Sequence, residues 1–164
     1  MFNRLIASWL VAVTILGLAM ASPAAAQSLK DQLVGSWNLV SNTETYEDGS
    51  KYVWGPDAKG SLIIEVNGQF SLMVAVGGRT SAKGNPAENP AGRVIGYFGS
   101  YTVTDADKTL AFQIERATFP GWDGTTQKRI VSAIGPDQMT FQSAAPILSG
   151  KGPFTPVVVW SRVK

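Results

Sequence analysis

The 164-residue chain has neither cysteine nor histidine, and each absence removes a class of chemistry. Without cysteine there is no disulfide to brace a thin core and no lipid attachment at a leader cleavage point, so stability must come from burial and backbone ladders. Without histidine there is no Ser-His or Cys-His nucleophile system, no histidine general base and no ordinary zinc site. Charge is scarce too: 16% of residues, with 14 Lys and Arg against 12 Asp and Glu. The signs alternate along the chain instead of clustering, so no nucleic-acid partner is expected despite a pI near 9.0.

Long apolar runs are rare as well, the clearest being Leu5 to Ala21. It follows Met1-Phe2-Asn3-Arg4 and precedes Ala24-Ala25-Ala26, the order of a positive n-region, an apolar h-region and an A-x-A site. Residues 1–26 are therefore expected to be a cleavable signal peptide cut after Ala26, leaving 27–164 as one domain. The run is short for a membrane span, no basic stop-transfer cluster follows it, and no Arg-Arg pair precedes it. The expected location is periplasmic or secreted, with no stable membrane insertion once the leader is removed.

In residues 27–164 apolar side chains recur mainly with a period of two between turn signals, as in β-strands. Ser28 to Leu33 is the exception: a helical turn with Ser28 as N-cap and Asp31 at N3, expected to cover one end of the fold. Gly35 to Ser41 opens the first long strand, with Trp37 and Leu39 on one face. Asp48-Gly49 turns the chain into Lys51 to Trp54, which Gly55-Pro56 ends. Gly60 to Val66 and Gln69 to Val76 flank Asn67-Gly68 as a hairpin, and Leu62-Ile63-Ile64 predicts that part of it is covered from outside as well as inside. Gly77 to Gly92 carries two Asn-Pro steps and no apolar periodicity, and reads as a mobile loop that is either a functional lid or a tolerated insertion. No Gly-Lys-Ser/Thr follows its glycines, so it is not a phosphate-cradling loop.

Gly96 to Val131 organises the chain, with three strand-like runs separated by two turn-rich segments. Tyr97, Gly99, Tyr101 and Val103 share the inward face, while Phe98, Ser100, Thr102 and Thr104 point outward. After the turn at Asp105 to Lys108, Leu110, Phe112 and Ile114 face inward, and the same alternation carries that face on to Arg116. Phe119 to Gly124 is expected to fold back over apolar surface. The run from Gln127 to Ile134 has no cleanly apolar face, and Met139 to Gln142 follows the turn at Gly135 to Gln138. Ser143 to Pro156 reads as a loop with Ile147, Leu148 and Phe154 exposed, before a last strand from Val157 to Arg162. The expected fold is all-β, an antiparallel up-and-down β-barrel of about eight to nine strands, with a two-sheet sandwich as the competing architecture.

Several of these segments together resemble the bacterial lipocalin-like domain family: L-V-G-S-W-N-L-V-S at Leu33 to Ser41, Gly55-Pro56-Asp57 with Gly60, Y-F-G-S-Y at Tyr97 to Tyr101, F-P-G-W-D-G-T at Phe119 to Thr125 with Gln127 and Arg129, and the terminal V-W-S-R. The resemblance spans nearly all of 27–164 and implies a lipocalin-type barrel. It also implies a closed end built from a G-x-W motif under an arginine of the last strand, here Gly35 and Trp37 with Arg162, a structural cation–π stack. The chain departs from many relatives at Phe112 and Gln113, where they carry a histidine pair; any activity or metal site that rests on that pair is absent here.

The function expected from these features is binding of a small apolar or amphipathic ligand in the barrel interior. Tyr97, Tyr101, Phe112, Ile114 and Val131 are the candidate wall, with Tyr52, Trp54 and Phe70 as secondary candidates, and Gln127 and Arg129 are candidate anchors for a polar head group. No catalytic residue, metal site or cofactor is expected. Two alternatives remain: a histidine-free isomerase, cyclase or hydrolase in which Tyr101 or Glu115 handles a proton and Arg129 stabilises an anion, or a filled barrel with a structural or interaction role.

Overall fold

The computed structural model describes residues 27–79 and 93–164. The leader segment and most of the Gly77–Gly92 loop lie outside the described residues. The chain runs α1 (Leu29–Leu33), β1 (Gly35–Tyr46), β2 (Lys51–Val53), β3 (Lys59–Ile64), β4 (Gln69–Ala75), β5 (Val94–Thr104), β6 (Thr109–Ala117), a 3-10 turn (Pro120–Trp122), β7 (Thr126–Ile134), β8 (Gln138–Ser143) and β9 (Phe154–Arg162).

β1 pairs antiparallel with β3, each strand from β3 to β8 pairs antiparallel with the next, and β9 returns to pair with β1 from Trp37↔Arg162 to Tyr46↔Phe154. That last pairing closes an eight-strand barrel and rules out the sandwich. β2 adds a ninth strand beside the upper part of β1, through Thr43↔Val53 and Thr45↔Lys51. The turns between elements follow their residues: Gly49 and Gly68 adopt left-handed φ values of 82° and 90°, which glycine reaches without a Cβ clash.

Bulges at three places change which side chains face inward. On β1 the register slips between Leu39 and Ser41, leaving Val40 as an extra, exposed residue. Above it the inward set moves from odd to even numbers, so Asn42 and Glu44 are buried where strict alternation would bury Ser41 and Thr43. On β6, Glu115 is the extra residue opposite Phe98 and Gly99. The expected inward placement of Arg116 is therefore corrected: the bulge turns it to the surface, 3.8 Å from Asp123. A Cβ at Gly99 would lie 2.1 Å from the Gln113 carbonyl, so the close backbone approach at this bulge needs glycine. The third bulge, at Ser132 on β7, explains why that strand shows no clean face.

Two further expectations are corrected. Ile63 points outward and is exposed, because described residues cover only the inner face of the hairpin. Phe154 is buried as the first residue of β9, held by Tyr46 at a ring separation of 5.6 Å and by a bridge to Ile147.

The lower barrel is sealed. α1 lies across it with Leu29 and Leu33 buried, Ser28 Oγ accepts from the Asp31 amide at 3.1 Å, and the Leu29 amide donates to Asp105 Oδ1 at 2.8 Å. Arg162 lies 4.0 Å from the Trp37 ring centroid and donates to the carbonyls of Pro136, Val34 and Gln32 at 2.7, 2.8 and 2.5 Å. Trp37 Nε1 donates to the Leu33 carbonyl at 2.9 Å. A Cβ at Gly35 would sit 2.6 Å from Arg162 Nη1, so the glycine makes room for the guanidinium.

Candidate functional site

Above this seal, a cross-strand aromatic layer forms the floor of a cavity. Phe112 packs against Phe70 at 4.3 Å, Tyr97 at 6.0 Å and Phe141 at 6.5 Å between ring centroids. The cavity has a volume of about 830 Å³ and opens at the end that carries the β1–β2, β6–β7 and β8–β9 connections. Its aromatic walls include Trp54, Tyr97, Trp122, Phe141 and Trp160. Trp122 reaches it because Phe119-Pro120-Gly121-Trp122 folds back as expected, the tryptophan meeting Tyr97 edge-on at 5.8 Å and Phe119 at 5.1 Å.

Two polar clusters interrupt the apolar lining, and they differ in how well they are satisfied. At the mouth, buried Glu44 accepts from Trp54 Nε1 at 2.9 Å and from the Tyr46 hydroxyl at 3.1 Å, and pairs with Arg93 Nη1 at 2.8 Å. Arg93 also lies 4.9 Å from the Trp54 ring centroid. Desolvation, and then the hydrogen bond to Glu44, push the Tyr46 phenol above its ordinary range. This cluster is self-contained.

Deeper in the cavity, Arg129 is 4% exposed, yet Nη1 donates only to the Lys128 carbonyl at 3.0 Å and Nη2 only to the Tyr97 hydroxyl at 3.4 Å. Among the described residues no carboxylate pairs with it. Two other buried polar atoms of the lining, Asn42 Oδ1 and Trp160 Nε1, have no hydrogen-bond partner among the described residues. A buried cation, a free acceptor and a free donor thus border one apolar chamber. Groups left this way raise the energy of the fold unless water or a bound molecule completes them.

Of the residues singled out in the sequence, Tyr97 and Arg129 line the cavity, as do Tyr52 and Trp54. Phe112 and Phe70 lie in the floor, and Ile114 and Val131 are buried in the core outside the lining. Gln127 is half-buried outside it. Tyr101 belongs to the sealed end: its hydroxyl donates to the Glu65 carbonyl at 2.7 Å, its ring lies 5.9 Å from Lys30 Nζ, and burial raises its phenol pKa. Glu115 is on the outer surface. Neither Tyr101 nor Glu115 reaches the chamber where Arg129 sits. Asn42, Glu44 and Trp160 are lining residues that sequence reasoning missed; the first two became visible only with the Val40 bulge.

A closed antiparallel meander, capped by a helix at one end and open at the other over an internal cavity, is an up-and-down barrel with a hollow upper half. The model of the lipocalin-like domain family matches residues 34–163, and the chain belongs to that family. No curated protein matches it. Among solved structures it is similar to a redesigned β-barrel, with 18% identity over 84% of this chain and 96% of that one and a TM-score of 0.44.

Proposed function

We propose that the protein is an exported carrier or sensor that holds one small amphipathic molecule in the barrel cavity. The observation that carries this reading is the cavity itself: about 830 Å³, walled by aromatics, with buried polar groups that have no partner among the described residues. Volumes of roughly 300–1,000 Å³ with a few convergent polar groups are typical of small-molecule sites. The partner is a small hydrophobic molecule, not nucleic acid. Export rests on the n-region, apolar run and Ala24-Ala25-Ala26 site, and places the domain in the periplasm or secreted fluid without a membrane anchor.

The test is fluorescence titration of the purified protein with N-phenyl-1-naphthylamine, a neutral aromatic probe, together with quenching of the cavity tryptophans. Saturable one-to-one binding is expected. Failure of this probe and of a broad panel of apolar ligands to bind the folded protein would mean a filled or closed barrel. N-terminal sequencing of exported material checks the leader, with Gln27 expected as the first residue.

A further inference from the structure

We infer that the cavity selects an organic monoanion, an aromatic or otherwise bulky carboxylate whose head group is held by Arg129. The inference rests on the carrier reading and specifies its ligand class. Three independent features support it.

The first is charge. A guanidinium this deeply buried normally has a carboxylate beside it, because removing an ion from water is costly without a counter-charge. Arg129 has only a carbonyl and a long bond to a phenol. Among the described lining residues, Arg93, Arg129 and Lys151 face a single carboxylate, Glu44, which already pairs with Arg93. The balance at the site calls for an anion.

The second is geometry. The guanidinium fork matches a planar two-oxygen acceptor, and most of its N–H donors are uncommitted. Lys151 is exposed at the mouth and Arg129 is the buried cation of the chamber, so one negative charge suits it; a phosphate dianion would leave a second charge buried without a partner. The third is the additional polarity of the walls. Trp160 Nε1 offers a second donor, and Asn42 Oδ1 offers an acceptor for a hydroxyl or N–H on the ligand body. The aromatic floor and walls provide faces for a ring system.

The experiment uses 2-naphthaleneacetic acid and its neutral planar counterpart, 2-naphthaleneacetamide, each competing against N-phenyl-1-naphthylamine. At pH 7 the acid is expected to bind about tenfold or more tighter than the amide, as a charge-assisted hydrogen-bond pair implies. In Arg129→Met that ratio is expected to fall to near one. In the unaltered protein the acid's advantage is expected to disappear as pH falls through about 4–5, where a carboxylate takes up its proton. The pH series needs no variant, so it decides the matter even if Arg129→Met does not fold. Equal affinities for acid and amide, an advantage that survives in folded Arg129→Met, or one that persists below the acid's pKa would each overturn the anion assignment while N-phenyl-1-naphthylamine binding left the carrier reading standing. Failure of all three probes to bind would remove both.

Discussion

The two ends of the barrel each bury an arginine against aromatic side chains, and the two are treated in opposite ways. Arg162 at the sealed end lies on Trp37 at 4.0 Å and has carbonyl acceptors from three separate segments. Arg129 in the cavity is more deeply buried and far less well paired. The same side chain therefore stands in two conditions: at Arg162 filled donors fasten segments together, and at Arg129 open donors are the basis of the binding role proposed above.

The comparison is broken most severely at the sealed end. Trp37→Ala removes a fully buried indole and the surface on which Arg162 rests, and should cost about 3–5 kcal/mol in denaturant unfolding. A variant as stable as the parent would show that the stack contributes nothing. Arg162→Met leaves three carbonyls without their donor and should cost about 2–3 kcal/mol by the same measurement.

Arg129→Met should shift stability the other way. Replacing an unpaired buried cation with an apolar chain of similar length should raise the stability of the ligand-free protein by about 1–2 kcal/mol. A loss as large as that at Arg162 would mean that Arg129 too is a structural group.

The smallest effect concerns Tyr101, which the sequence placed beside Tyr97. Tyr101→Phe loses the hydrogen bond to Glu65 and should cost about 0.5–1.5 kcal/mol, with ligand affinity unchanged. Burial raises the Tyr101 phenol, so on alkaline titration the unfolded state loses this proton first. Unfolded chains then bind fewer protons than folded ones and stability falls with pH. The contribution is fully present below about pH 10, the ordinary tyrosine value, and is lost as pH rises through the folded value. Urea midpoints of the two proteins from pH 8 to 11 should show the tyrosine protein losing stability faster above pH 10.

Much of the fold was legible because its signals are local. Asn67-Gly68 and Asp48-Gly49 specify turns, and the alternation through Tyr97–Val103 and Leu110–Ile114 specifies strands. The seal was legible through Gly35, Trp37 and Arg162 together. Two kinds of information were not. Alternation tells which face a residue occupies but not how far along the barrel it lies: Tyr97 and Tyr101 share a face, yet four residues at about 3.3 Å each carry one to the cavity and the other to the seal. Nor does a sequence display an extra residue in a strand. Glu115 hid the outward turn of Arg116, and Val40 hid the inward turn of Asn42 and Glu44. Arg129 was found because its position kept the two-residue rhythm on the near side of the Ser132 bulge.

The Val40 bulge also bears on how this barrel can change over time. Because Val40 is the extra residue of the bulge, deleting it would leave Leu39↔Trp160 and Ser41↔Val159 in place and restore strict alternation, with Asn42, Glu44 and Tyr46 still facing inward. Point changes at 42, 44 and 46 likewise leave the β1–β9 ladder untouched, since that pairing is made by backbone alone. The upper wall can therefore be recut at those positions by replacement, and loss of the bulge residue itself leaves the inward set in register.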